Sequence, residues 1–150
     1  MTIQETYNFI ESLKNETTNT SEIKVYKNFL DILTKLKGRK FSLGEIQSIE
    51  TELDRLNLDS NPENRKKYFN KLLKEFKDYL KEKYSLTSAG YYTNIGVTTG
   101  AAFGIVAGII IGERFEKSLG IALGIGIGML IGSFVGRSMD AKAKNENRML

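Results

Sequence analysis

The chain contains no cysteine and no histidine. The first absence removes disulfides and thiolate metal sites and leaves the redox compartment unreadable. The second removes the commonest metal ligand and the commonest general base at neutral pH. Without either, the familiar nucleophile and base pairs cannot be built, and a zinc site would have to rest on carboxylates alone. Glu50, Glu52 and Asp54 form the densest acidic patch, but their spacing of two spreads them around a helix, as suits a solvated surface. No catalytic residue, metal site or cofactor is expected, and no small-molecule substrate is evident. The opening residues Met1-Thr2-Ile3-Gln4-Glu5 also lack the basic region and apolar run of a cleaved signal peptide. Membrane insertion would then depend on internal segments.

Charge is missing from two long stretches. Residues 93–112 and 118–136 carry no ionisable side chain, whereas residues 1–84 hold 16 of the 22 Lys and Arg and 14 of the 18 Asp and Glu. The net charge of +4 divides into +2 before residue 85 and +2 after it, too little to point to nucleic acid. At 1.5 Å per residue, Thr93 to Gly112 makes about 30 Å of helix and Ser118 to Gly136 nearly as much, each matching the hydrocarbon core of a bilayer.

What fills these stretches is glycine at a fixed interval. Gly96, Gly100, Gly104, Gly108 and Gly112 are four apart, and so are Gly120, Gly124, Gly128, Gly132 and Gly136. A shift of 24 residues superimposes the two series, so the pair reads as an internal repeat. Each glycine in a water-exposed helix costs about 1 kcal/mol relative to alanine, a heavy burden five times over. In lipid the helix is enforced by its own backbone hydrogen bonds, and small residues every fourth position let two backbones approach closely. The alternation in Gly124-Ile125-Gly126-Ile127-Gly128 could suit a strand, but the run has no polar face, and no Lys-Ser or Lys-Thr follows to make a phosphate loop. The ten glycines are the expected helix-packing positions.

These residues resemble the glycine-zipper transmembrane modules of small bacterial membrane proteins, over about residues 90–136. That class includes anchors, oligomeric channels and membrane-active toxins, and several members self-associate. The resemblance implies a homo-oligomer in a bacterial inner membrane. Lys74, Lys77, Lys81 and Lys83 precede the first span, and Arg137, Lys142, Lys144 and Arg148 follow the second, against Arg114 and Lys117 between them. Counting Lys and Arg alone places both termini in the cytoplasm.

The first 84 residues predict about four amphipathic helices. Ile3, Tyr7, Ile10 and Leu13 mark one by their spacing; Ile23, Tyr26, Leu30, Leu33 and Leu36 mark a second after Ser21, with Gly38 as its stop. Ser42-Leu43-Gly44-Glu45 is a capping box opening a third, and Asn61-Pro62 predicts the start of a fourth with proline at its first position. On the fourth, Lys66, Lys67, Lys71, Lys74, Lys77 and Lys81 gather opposite the apolar arc and form a candidate face for anionic lipid, with a solvated face diluted by Glu75, Asp78 and Glu82 as the plainer alternative. Tyr91 and Tyr92 stand where an interfacial aromatic belt would, or where a packing pair at the junction would.

The expected architecture is therefore all-α: a soluble helical domain over 1–84, a juxtamembrane linker over 85–93, membrane helices over 94–112 and 119–136 joined by a short turn at 113–118, and a basic polar tail over 137–150. The expected role is a non-enzymatic membrane scaffold that self-associates through its glycines and offers residues 1–84 to a cytoplasmic protein partner. An oligomeric channel or membrane-permeabilising, toxin-like effector is the alternative.

Overall fold

The structure, a computed structural model, describes residues 1–60, 63–113 and 116–150. The described residues form six helices, α1 (Ile3–Glu16), α2 (Thr20–Lys37), α3 (Leu43–Arg55), α4 (Arg65–Tyr84), α5 (Tyr91–Gly112) and α6 (Lys117–Asn145), in two compact units. Unit 1 is Met1–Leu86 together with Leu150; unit 2 is Thr87–Met149. The protein is all-α, a helical bundle followed by a pair of long apolar helices.

Each bundle helix starts on a polar side chain that takes up amides the helix itself leaves unpaired. Thr2 and Glu5 form a reciprocal capping box on α1, at 3.1 and 2.8 Å, and Ser42 and Glu45 form another on α3, at 3.4 and 2.7 Å. The Asn19 side chain accepts the Ser21 amide at 3.0 Å, so α2 begins at Thr20, slightly before the expected start. Asn64 accepts the Lys67 amide at 3.0 Å and sets the start of α4 at Arg65. That start lies later than proline placement predicts; Asn61 and Pro62 themselves lie outside the described residues.

Helix α2 is the centre of unit 1. Tyr26, Phe29, Leu33 and Leu36 are fully buried on it, among Ile10 of α1, Ile49 and Leu53 of α3, and Phe69, Phe76 and Leu80 of α4. Phe29 stacks on Phe76 with ring centroids 5.7 Å apart, and Tyr26 meets Phe69 edge-on at 5.1 Å. Each such side chain contributes about 1.5–3 kcal/mol by leaving water. Two left-handed residues complete this core. Ser85 (φ 55°) ends α4 and turns Leu86 inward; Asn147 (φ 57°) ends α6, with the Arg148 amide on the Ala143 carbonyl at 2.8 Å and its own amide on Lys144 at 3.0 Å. This pair of bonds closes the end of α6 and precedes Leu150, which is buried in the same core as Leu86.

Unit 2 consists of α5 and α6, of 22 and 29 residues, both long and apolar enough to cross a membrane. Its limits differ from the sequence expectation at the start of α5 and at both ends of α6, which begins at Lys117 rather than residue 119. Helix α5 takes in Tyr91 and Tyr92, expected in the linker, because Gly90 adopts the left-handed conformation (φ 76°) that turns the chain into the helix. Helix α6 runs past Gly136 through the expected tail to Asn145, since Ala141, Lys142, Ala143 and Lys144 favour helix and the Asn147 turn supplies its stop. Of the expected connecting turn, Arg114 and Phe115 lie outside the described residues.

Candidate functional site

The glycines of α5 meet those of α6 within one chain. Gly96 faces Gly132, Gly100 faces Gly128, Gly104 faces Gly124 and Gly108 faces Gly120, an antiparallel register in which each step forward along α5 is a step back along α6. A Cβ built on Gly96, Gly100 or Gly104 would lie 2.9, 2.8 or 2.7 Å from the carbonyl carbon opposite, closer than real Cβ atoms come. Gly112 fits against the start of α6, its Cβ position 3.1 Å from Lys117 Cα, and Gly136 against the start of α5, 2.5 Å from Thr93 Cα. All ten glycines of the two series therefore lie in one seam, backbone against backbone, the close approach that Cα–H···O contacts require. A Cβ added at Gly126, the one glycine of the second span outside the series, would meet no neighbouring element within 4 Å.

The large side chains point the other way. Phe103 is 73% exposed, Leu130 73% and Phe134 78%, with Val106, Ile110 and Leu123 also outward. A pair of helices folded in water does the reverse, burying its large apolar groups and showing polar ones.

The open end of the hairpin is held by a residue that sequence patterning does not single out. Gly90 has no side chain to cap α5, so the amides of its second and third residues need another acceptor. Asp140, four residues beyond the charge-free length of α6, provides it: its carboxylate accepts the Tyr92 amide at 3.1 Å, the Thr93 amide at 3.1 Å and the Thr93 hydroxyl at 2.7 Å. The residue is only 8% exposed. Next to it, the Thr87 amide donates to the Arg148 carbonyl at 2.9 Å and Thr87 pairs with Met149 in a parallel bridge. Arg148 is held by Glu146, at 2.7 Å through Nε, and by the Tyr92 side chain, which together raise its pKa.

Tyr91 and Tyr92 are half-buried and meet edge-on at 5.2 Å in the first turn of α5. On α4, Lys66, Lys67, Lys71, Lys74 and Lys81 are exposed, while Lys77 is half-buried, its ammonium pKa pushed down by burial against the opposing pull of Asp31. Lys71 makes a long pair with Glu75, at 3.7 Å. Glu50, Glu52 and Asp54 are expected to spread into solvent, but Glu52 is buried and forks onto Arg55, while Glu50 accepts the Ile3 amide. Among the described residues no group of His, Cys, Asp or Glu is placed to hold a metal.

No family model, no curated protein and no solved structure matches this chain.

Proposed function

We propose that the chain is a non-enzymatic membrane anchor: α5 and α6 cross the bilayer as a hairpin, and the bundle is presented to a protein partner on the cytoplasmic side. The observation that carries this reading is the inverted hairpin, glycine inside and Phe, Leu, Ile and Val outside, over two charge-free lengths that match a hydrocarbon core. Lipid is the solvent for which that arrangement is stable. Leu86 and Leu150 both belong to unit 1, which supports a hairpin with its two ends on one side of the bilayer.

Self-association is part of the reading but not through the seam, which is filled within the chain. A second copy would meet the outward faces, where Gly126 leaves the backbone open. The lysine face of α4 supports contact with anionic headgroups, at about 1 kcal/mol for each basic residue near the surface. The test is extraction of membranes from cells expressing the full chain. Carbonate should leave the chain in the membrane pellet, with detergent releasing it. Release by carbonate or salt alone would end the anchor reading.

A further inference from the structure

Along one side of the hairpin, α5 and α6 leave a groove of about 460 Å³ whose floor is glycine backbone and whose shoulders include Phe103, Ala107, Ile131 and Val135. Thr99 is the one polar side chain lining it among the described residues. From Gly96 to Ile111 it follows α5 for about 22 Å, more than the roughly 15 Å depth of one leaflet. Its chemistry changes abruptly at the open end. Lys142 lies seven residues beyond Val135 and eleven beyond Ile131, on the same face of α6, and Tyr92 lies seven residues before Thr99 on α5. Arg148 is bonded to Tyr92, so two basic residues flank that end. Glu146 shares them, at 3.9 Å from Lys142 and 2.7 Å from Arg148 Nε, and the Asp140 carboxylate on the Tyr92 amide lies at the same end; with Arg137 and Lys144 counted, residues 137–150 carry an excess of two positive charges.

Resting on the membrane reading above, we propose that this groove is a binding site for one anionic phospholipid, an acyl chain lying along the glycine floor and the phosphate meeting Lys142 and Arg148. The charge-free floor admits only an apolar occupant, and the basic end fits a headgroup with net negative charge. The Lys142 pair with Glu146 is long and exposed, so little is lost when a phosphate replaces it.

Native mass spectrometry of the full chain tests this, after equilibration in mild detergent with equal amounts of phosphatidylglycerol and phosphatidylcholine bearing the same acyl chains. The wild type should retain one phosphatidylglycerol per chain, about tenfold over phosphatidylcholine. Lys142→Glu should make the two lipids equal, Ala107→Trp should expel both by filling the groove, and Val106→Trp, outside the groove lining, should bind as the wild type. Equal retention of the two lipids by the wild type, or unchanged retention by Ala107→Trp, would overturn the proposal. So would a lipid-free dimer that becomes a monomer in Ala107→Trp, since a second copy would then fill the groove. Flotation of the same preparation with liposomes separates the two levels: a chain that floats yet retains no lipid defeats the site alone, and one that does not float defeats the anchor reading as well.

Discussion

Gly104 lies directly against Gly124, with the α6 backbone occupying the space a side chain on Gly104 would need. The glycine period therefore serves contact between two helices of one chain. Gly104→Ile should force the hairpin apart, and Gly104→Ala should already cost about 1–3 kcal/mol, because the obstacle is backbone and cannot rotate away. Gly126→Ala, which adds a methyl group where nothing lies within 4 Å, should leave hairpin stability unchanged. Resistance to unfolding in SDS, followed by gel mobility, distinguishes the three variants.

Asp140→Ala should loosen the open end of the hairpin by about 1–2 kcal/mol, the usual cost of losing a helix cap, whereas Asp140→Asn, which still offers a carbonyl oxygen, should lose less. Hydrogen exchange at the Tyr92 and Thr93 amides should therefore accelerate in the alanine variant, and less in the asparagine variant.

Tyr26→Phe should be neutral or slightly stabilising. The ring is buried against Phe69, but the hydroxyl finds no hydrogen-bond partner among the described residues, and burial raises its pKa first of all. Removing an unsatisfied hydroxyl relieves a desolvation cost. A thermal midpoint clearly below the wild type would show that the hydroxyl is bonded in solution.

Leu150→Ala should destabilise the bundle by about 2–3 kcal/mol, as befits a core leucine, although its sequence position suggests a solvated tail. Chemical unfolding of the full chain in detergent, monitored by tyrosine fluorescence, measures this. Lys144→Ala, exposed on α6, provides the comparison and should change little.

Much of the fold was legible because it rests on local patterns. The spacing of Ile3, Tyr7 and Ile10, the Ser42 and Glu45 capping pair and the charge-free lengths within α5 and α6 each carry their own geometry. The Thr2 and Glu5 box has the same signature as the Ser42 one and was readable in the same way. The seam was legible only in part. A period of four shows that a face is small, but whether it meets its own chain or a copy depends on the turn between the helices. Asp140 was out of reach for a different reason: it caps amides 47 and 48 positions away, a relation that exists only once the hairpin has closed. Leu150 likewise becomes a core residue only through the left-handed turn at Asn147.

The most direct test of the membrane hairpin uses the absence of cysteine, which makes single-cysteine labelling free of background. Ser12→Cys in the bundle, Ser118→Cys at the start of α6 and Ser138→Cys near its far end are all exposed positions. In right-side-out and inverted membrane vesicles, an impermeant maleimide should label Ser12→Cys and Ser138→Cys from the cytoplasmic side and Ser118→Cys only from the opposite side. Labelling of all three from one side would contradict a hairpin that crosses the bilayer.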